Sequence, residues 1–278
     1  MRYLITACNG QLGSDITEYF SKEHEVIAYK DVDLDITDKE KVFAAVSDAK
    51  PDFIVNCAAI TNVDGCESNP ELAFKVNADG VRILALAAEN AGCTLVHIST
   101  DYVFDGTGKT PYVESDTACP KNVYGKSKLQ GEMEIRENCS KYFILRTAWL
   151  YGHSGGNNFV KAMLKTGSEK GEVFVVTDQV GNPTTTAELI RIIDTVIKTN
   201  HYGIFNATCE GVCSWNEFAR EIFKQANVDV KVNDVTSEQF KTPASRPAYS
   251  ALSKEKLTRL CGYKPISWQD ALKEYFKV

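Results

Sequence analysis

Long apolar runs are missing from this 278-residue chain. The longest uninterrupted ones, such as residues 83–88, reach about six residues, whereas a bilayer span needs ~20. No membrane contact is expected. Residues 3–8 are mostly apolar but Asn9 and Gly10 break the run at once. A secretory signal, which needs ~7–15 apolar residues and a small-residue cleavage site, is therefore not expected. An excess of basic charge is also missing: 31 Lys and Arg face 37 Asp and Glu, a net charge of -6. That leaves no electrostatic footprint for a nucleic acid or an anionic membrane. The nine cysteines form no C-x-x-C pair, and no histidine stands at metal spacing from Cys209 and Cys213. An odd set of scattered thiols points to a reducing, cytoplasmic location without structural zinc. Internal repeats and low-complexity tracts are absent as well.

What is present is an ordinary globular balance, 44% apolar and 24% charged residues. A chain of this length buries roughly three quarters of its unfolded surface and needs no staples. Over residues 1–150 short β-rich runs alternate with amphipathic segments. Strands are expected at 3–8, 25–29, 53–58, 94–99 and 142–146. Helices are expected at 11–21, 39–49, about 72–90 and 123–138, with Gly92 stopping the third. Such alternation predicts an α/β fold, a Rossmann-like doubly wound parallel sheet with right-handed crossovers. After Trp149 prolines at 183, 243, 247 and 265 punctuate the pattern. Strands at 173–176 and 203–207 and helices at 186–199 and 215–226 read as a smaller, interleaved C-terminal region. The expected division is residues 1–150 for a dinucleotide and 151–278 mostly for substrate, with some segments returning to the first sheet.

Residues 6–13, T-A-C-N-G-Q-L-G, end the first strand and open the first helix. Backbone N–H groups and the helix dipole converge there, so this is where a pyrophosphate would sit, on Asn9, Gly10, Gln11, Leu12 and Gly13. The loop resembles the T-G-x-x-G-x-x-G of the extended short-chain dehydrogenase superfamily, with Ala7 in place of the first glycine. If that position needs positive φ, alanine costs ~1–2 kcal/mol. An acid ending the second strand would hold the adenosine ribose and exclude a 2′-phosphate. Here Lys30 favours a 2′-phosphate while Asp31 and Asp33 argue against it, so NADPH and NADH both stay open. The resemblance implies that Asp35 and Ile36 line the adenine pocket and that Cys57, Ala58 and Ala59 run along the ribose and nicotinamide.

Tyr124 and Lys128 stand four residues apart at a helix start, on one face with Cβ atoms ~5–6 Å apart. A tyrosine titrates near ~10, and lowering it by ~3 units takes ~4 kcal/mol of anion stabilisation. A close ammonium, helped by the nicotinamide charge, supplies a few kcal/mol at an effective dielectric of ~20. About 20 residues upstream, a strand ending in Thr100 would present its hydroxyl to the same place. Thr100, Tyr124 and Lys128 with the glycine loop make a hydride-transfer site suited to acid–base work on a carbonyl.

Further stretches narrow the likeness. Residues 51–64, P-D-F-I-V-N-C-A-A-I-T-N-V-D, residues 99–106, S-T-D-Y-V-F-D-G, and residues 122–128, N-V-Y-G-K-S-K, resemble runs of the dTDP-4-dehydrorhamnose reductases. So do D-Q-V-G-N-P-T at 178–184, E-G-V-C-S-W at 210–215 and Arg246-Pro247. Nucleotide-sugar dehydratases, the nearest enzyme alternative along with epimerases, carry Asp-Glu after the catalytic threonine; here Tyr102 follows Asp101. The regulatory subunit of methionine adenosyltransferase also resembles this family, as a non-catalytic binding protein.

The resemblance implies reduction of C4 of dTDP-4-dehydro-6-deoxy-L-mannose, with Tyr124 as proton donor, Thr100 orienting the oxygen, and Lys128 holding the ribose and lowering the tyrosine pKa. It assigns Val63 and Asp64 to the border of the sugar pocket, Trp149 to the sugar or base, Asn158 and Phe159 to the nucleotide, and Arg246 to the diphosphate, which its fork can grip. Some members bind magnesium through carboxylates matching Asp15, Glu188 and Glu274. These are read here as solvated helix acids, and no metal is assigned. A monomer and a homodimer are equally compatible with the sequence.

Overall fold

In the computed structural model, which describes residues 1–277, one parallel sheet gathers β1 (Arg2–Thr6), β2 (Glu25–Ala28), β3 (Phe53–Asn56), β4 (Thr94–Thr100), β5 (Tyr142–Thr147) and the late strand Gly203–Asn206. The order runs from Gly203–Asn206 through β5, β4, β3 and β1 to β2. Strand alternation decides which core each side chain enters. Tyr3, Ile5, Val55, Val96 and Leu145 pack on one face with helix α1 (Gln11–Phe20) and helix Thr186–Val196. Their neighbours Leu4, Ile54, Leu95 and Ile144 pack on the other with helices Lys39–Ala49 and Val81–Ala91. Both faces are covered, so the strands read as continuous apolar runs. The order reverses between β1 and β3, which opens a crevice at the carboxyl ends of those strands.

The C-terminal half is not segregated from this sheet. Gly203–Asn206 pairs with β5, and Leu257 of helix Glu255–Cys261 joins the α1-side core. The remainder builds a second cluster in which strands Glu172–Val176 and Lys231–Val235 pair in parallel under helices Phe159–Lys170 and Trp215–Ala226.

The expected helix over 72–90 is interrupted. It starts at Pro70, capped by Asn69, becomes a π-helix over Lys75–Gly80, and resumes as Val81–Ala91, ended by Gly92 at φ 69°. The wide turn brings Asn77 inside, where its side chain accepts from Ile60 N–H at 2.8 Å and donates to the Ile60 carbonyl and Ser127 Oγ. Apolar spacing carries no sign of this, because the turn is set by what one buried amide must bond.

Helix Val123–Asn138 lies unusually close to its neighbours. A Cβ at Gly125 would stand 2.2 Å from the Tyr102 carbonyl oxygen, and one at Gly131 2.2 Å from that of Asn77. Below the cleft this helix buries Glu132, which takes a two-pronged grip from Arg146 at 2.9 and 2.6 Å and a third bond from Ser99 Oγ at 2.6 Å. Removing one member of a buried pair leaves the other charge uncompensated. Arg146→Leu should therefore cost about 3–5 kcal/mol of stability. Urea unfolding would measure it, and a loss under 1 kcal/mol would contradict the burial assigned to this pair.

Candidate active site

β1 ends at Thr6, and the chain turns through Ala7 at φ 49°, a left-handed conformation. The turn therefore does require positive φ, where alanine carries steric strain. Gly10 N–H closes it on the Ala7 carbonyl at 3.0 Å. α1 then starts with no side-chain cap and no acid in its first turn. A Cβ at Gly13 would stand 2.1 Å from the Ala7 oxygen, so only glycine lets the helix approach the strand. Uncapped N–H groups on a close-packed turn fit a pyrophosphate.

This loop forms one wall of a cavity of about 810 Å³ at the carboxyl ends of β1, β3, β4 and β5. That is a size common among small-molecule sites. Of the residues expected to hold cofactor, Asn9, Gly10, Gln11, Leu12, Asp35, Ile36, Cys57, Ala58 and Ala59 line it, with Tyr124 and Lys128. Gly13 does its work behind the wall. Lys30 is exposed and lies outside it. Asp31 takes that place instead, accepting from Asn9 Nδ2 at 2.8 Å while its own N–H donates to Asn9 Oδ1.

Thr100, Tyr124 and Lys128 meet in the same cavity. Thr100 ends β4 and caps a short turn through Tyr102 N–H at 3.2 Å. Asn122 caps helix Val123–Asn138 at Gly125 and ties its start to the Ser245 carbonyl. Lys128 Nζ donates to the Ile98 carbonyl at 2.6 Å and lies 3.2 Å from His97 Nε2. Burial pushes the Tyr124 phenol above its ordinary value, while its bond with Thr100 works the other way. Burial thus dominates the phenol, and the lowering by Lys128 expected from the sequence does not figure among the influences on it. Burial likewise pushes Lys128 down to about 8.

The expected sugar side divides. Val63, Trp149 and Asn158 line the cavity; Asp64, Phe159 and Arg246 do not. Arg246 and Asp64 hold each other in a fork at 3.1 and 2.8 Å. These opposite charges come from segments 182 positions apart and are partly screened from water. Phe159 packs against Trp215 and Phe218. Trp149, at φ 48°, stacks on Trp215 at 3.5 Å. Asn158 caps its helix and bonds Gln11 Oε1 at 2.8 Å, joining the second region to the glycine loop. Residue spacing gave no notice of Trp215, Thr147, Asp101 or Tyr102, which also line the cleft. The serine–tryptophan run at 214–215 was the available signal for the first.

Glu188 is wholly buried, accepting from Tyr263, Ile266 N–H and Arg191, and Glu274 shares that arginine. The reading of these acids as solvated is corrected for Glu188: interior donors consume its oxygens. Asp15 accepts from Thr186. A second cavity of about 690 Å³, beside Arg136, Lys256 and Arg259, contains none of the glycine-loop or Thr–Tyr–Lys residues.

A glycine loop on a doubly wound sheet, facing a threonine, tyrosine and lysine, defines a short-chain dehydrogenase/reductase of the extended type. The chain belongs to the family described as RmlD substrate binding domain, whose model matches residues 1–278. It is similar to the dTDP-4-dehydrorhamnose reductase of Aggregatibacter actinomycetemcomitans, 41% identical over 98% of this chain and 97% of that protein. The dTDP-4-dehydrorhamnose reductase structure from Bacillus anthracis in complex with NADP superposes with a TM-score of 0.97 at 42% identity, covering 99% and 98% of the two chains. The ortholog from Clostridium acetobutylicum gives 0.96 at 46% identity, over 100% and 99%.

Two predictions follow from the cleft's strain and burial. Ala7→Gly relieves ~1–2 kcal/mol of left-handed strain and adds ~0.5–1 kcal/mol of chain entropy to be lost. It should raise the melting temperature by a few degrees without weakening NADPH binding; a lower melting temperature would contradict the strain. Asp101 is buried with one carboxylate oxygen unpartnered, and burial raises its pKa to about 7. A raised folded-state pKa favours the protonated form, so its contribution is full below about pH 4 and lost as pH rises through about 7. Asp101→Asn should flatten that part of the stability–pH curve, and an unchanged slope on thermal melts would refute the assignment.

Proposed function

We propose that this chain is a cytoplasmic dTDP-4-dehydrorhamnose reductase, using NADPH or NADH to reduce the C4 ketone of dTDP-4-dehydro-6-deoxy-L-mannose to dTDP-L-rhamnose. The observation that carries the reading is the convergence of Thr100, Tyr124 and Lys128 on the cavity walled by the glycine loop. Whole-length likeness to reductases of that name supports it.

Residues 9–13 hold the pyrophosphate, Asp35 and Ile36 the adenosine end, and Cys57, Ala58 and Ala59 the path toward the reacting ring. When bound, the reduced nicotinamide supplies the hydride delivered to C4. Tyr124, kept as a phenol by burial, gives its proton to the C4 oxygen that Thr100 orients. Lys128 holds the nicotinamide ribose. Trp149 and Val63, with Asn158 from the region after residue 150, bound the sugar-nucleotide side. Elimination chemistry would call for a glutamate after Asp101, and Tyr102 stands there instead.

Absorbance of NADH and NADPH with and without the keto-sugar tests this directly. Substrate-dependent oxidation is expected, and Tyr124→Phe should lose at least about 10²-fold in turnover while cofactor affinity stays within about two-fold. Oxidation that survives this substitution would overturn the role of Tyr124. Cofactor binding with no oxidation in the native chain would favour another keto-sugar or a non-catalytic binding protein.

A further inference from the structure

The second cavity, about 690 Å³, lies farther along helix Val123–Asn138 and shares no lining residue with the cleft. That volume falls in the range common for small-molecule sites. Helix Val123–Asn138 walls one side, helix Glu255–Cys261 another, and the segment around Glu114 closes an end. Its floor is the buried Arg146–Glu132 pair, with Ile204 on the edge strand of the sheet. The proposed mechanism gives this cavity no task.

Its cations are left without partners to an unusual degree. Of the eight arginines in the chain, Arg2, Arg82, Arg146, Arg191, Arg220 and Arg246 form ion pairs. The two that form none among the described residues, Arg136 and Arg259, both line this cavity, each from the last turn of its helix. Arg146, only 3% exposed, contributes from below. A guanidinium has five N–H groups; Glu132 takes one from Nε and one from Nη2, and the Glu114 carbonyl takes one from Nη1 at 3.4 Å. Two remain. Lys256 stands among these arginines, donating to the Ile204 carbonyl at 2.6 Å. Burial lowers its ammonium below the ordinary value; Glu114 works against this, and Arg259 and Arg146 add to it.

Acids line the cavity too, and they restrict what can enter. Glu132 has both oxygens on Arg146. Glu114 Oε1 accepts from Asn206 N–H at 2.9 Å, and Asp116 Oδ2 from Val113 N–H at 2.8 Å, which leaves each a second oxygen. Glu255 stands in the first turn of its helix, four residues before Arg259, without pairing to it. Among the described residues no three acids, histidines or cysteines gather as a metal site. A bare anion would meet these carboxylates as well as the cations. A molecule with a phosphate at one end and hydroxyls at the other suits both, because guanidinium forks grip phosphate oxygens and an ionised carboxylate only accepts. We propose that this cavity is a second small-molecule site for a phosphorylated polyhydroxy compound of the sugar-phosphate class. Arg136, Arg259 and the open edge of Arg146 take its phosphate, and Glu114, Asp116 and Glu255 take its hydroxyls.

Calorimetric titration of the full chain tests this, with NADP kept saturating so that the glycine loop is filled. The probes are glucose 6-phosphate, glucose and inorganic phosphate, at about pH 7.5, where the phosphates are mostly dianions. Glucose 6-phosphate should bind one to one, and glucose and inorganic phosphate at least about ten-fold more weakly, since each meets only half of the site. Arg136→Gln and Arg259→Gln alter exposed side chains, so both variants should melt with the native chain, and each should weaken glucose 6-phosphate about ten-fold. Added salt should weaken it as well. Absence of glucose 6-phosphate binding up to about 10 mM, equal binding of glucose or of inorganic phosphate, or an affinity untouched by both substitutions overturns the proposal. The last result would put the ligand in the cleft. Turnover forms no part of the readout, so the reductase reading and this one stand or fall separately.

Discussion

The cleft depends on how closely helix Val123–Asn138 is pressed against the sheet. Gly125 and Gly131 permit the approach, each where a single added carbon would collide with a backbone oxygen. With the helix that close, Tyr124, Lys128 and Glu132, spaced by four, share one inward stripe. Each meets a different group of β4 and β5: Tyr124 meets Thr100, Lys128 meets His97 and the Ile98 carbonyl, and Glu132 meets Ser99 and Arg146. A stripe of polar side chains facing the core would be unfavourable if unmatched. Here parallel strands deliver bonding partners in register, because β4 and β5 align Ser99 with Arg146 and Thr100 with Thr147.

Strain is placed on either side of this arrangement. Ala7 follows β1 and Trp149 follows β5, and both are non-glycine residues at positive φ, near 50°. Each turns the chain at the carboxyl end of a strand, where the cleft opens. The bonds around them are dense enough to hold such conformations: Gly10 closes on Ala7, and Trp149 is stacked on Trp215 and pressed by Gly181. The second region is coupled to the first at the same points, through Asn158 on Gln11 and through Gly155, whose backbone runs against that of Gly10 and Gln11. The glycine loop and the second region therefore share the walls of one cavity.

Much of this was legible in residue order. The strand–helix alternation, the glycine loop and the Tyr124–Lys128 spacing are local patterns, and local geometry follows from them. Less legible were features decided by competition for bonding partners. Arg246 carries the fork expected for a diphosphate, and its partner in the folded chain, Asp64, lies 182 positions away in sequence. Lys30 has the charge for a 2′-phosphate, yet the side chain that faces the cavity there is Asp31, held by Asn9. The π-turn around Asn77 replaces an uninterrupted helix because a buried amide requires its donors and acceptors met.

What the sequence determined by itself was the sheet, its two covered faces and the residue types available for chemistry, since periodicity and glycine placement act over a few residues. What only the tertiary structure decided was the electrical state of those residues. Burial raises Tyr124 and Asp101 and lowers Lys128. Those effects come from groups far apart in the chain, because desolvation and hydrogen-bond polarity depend on what surrounds a side chain in space and not on its neighbours in sequence.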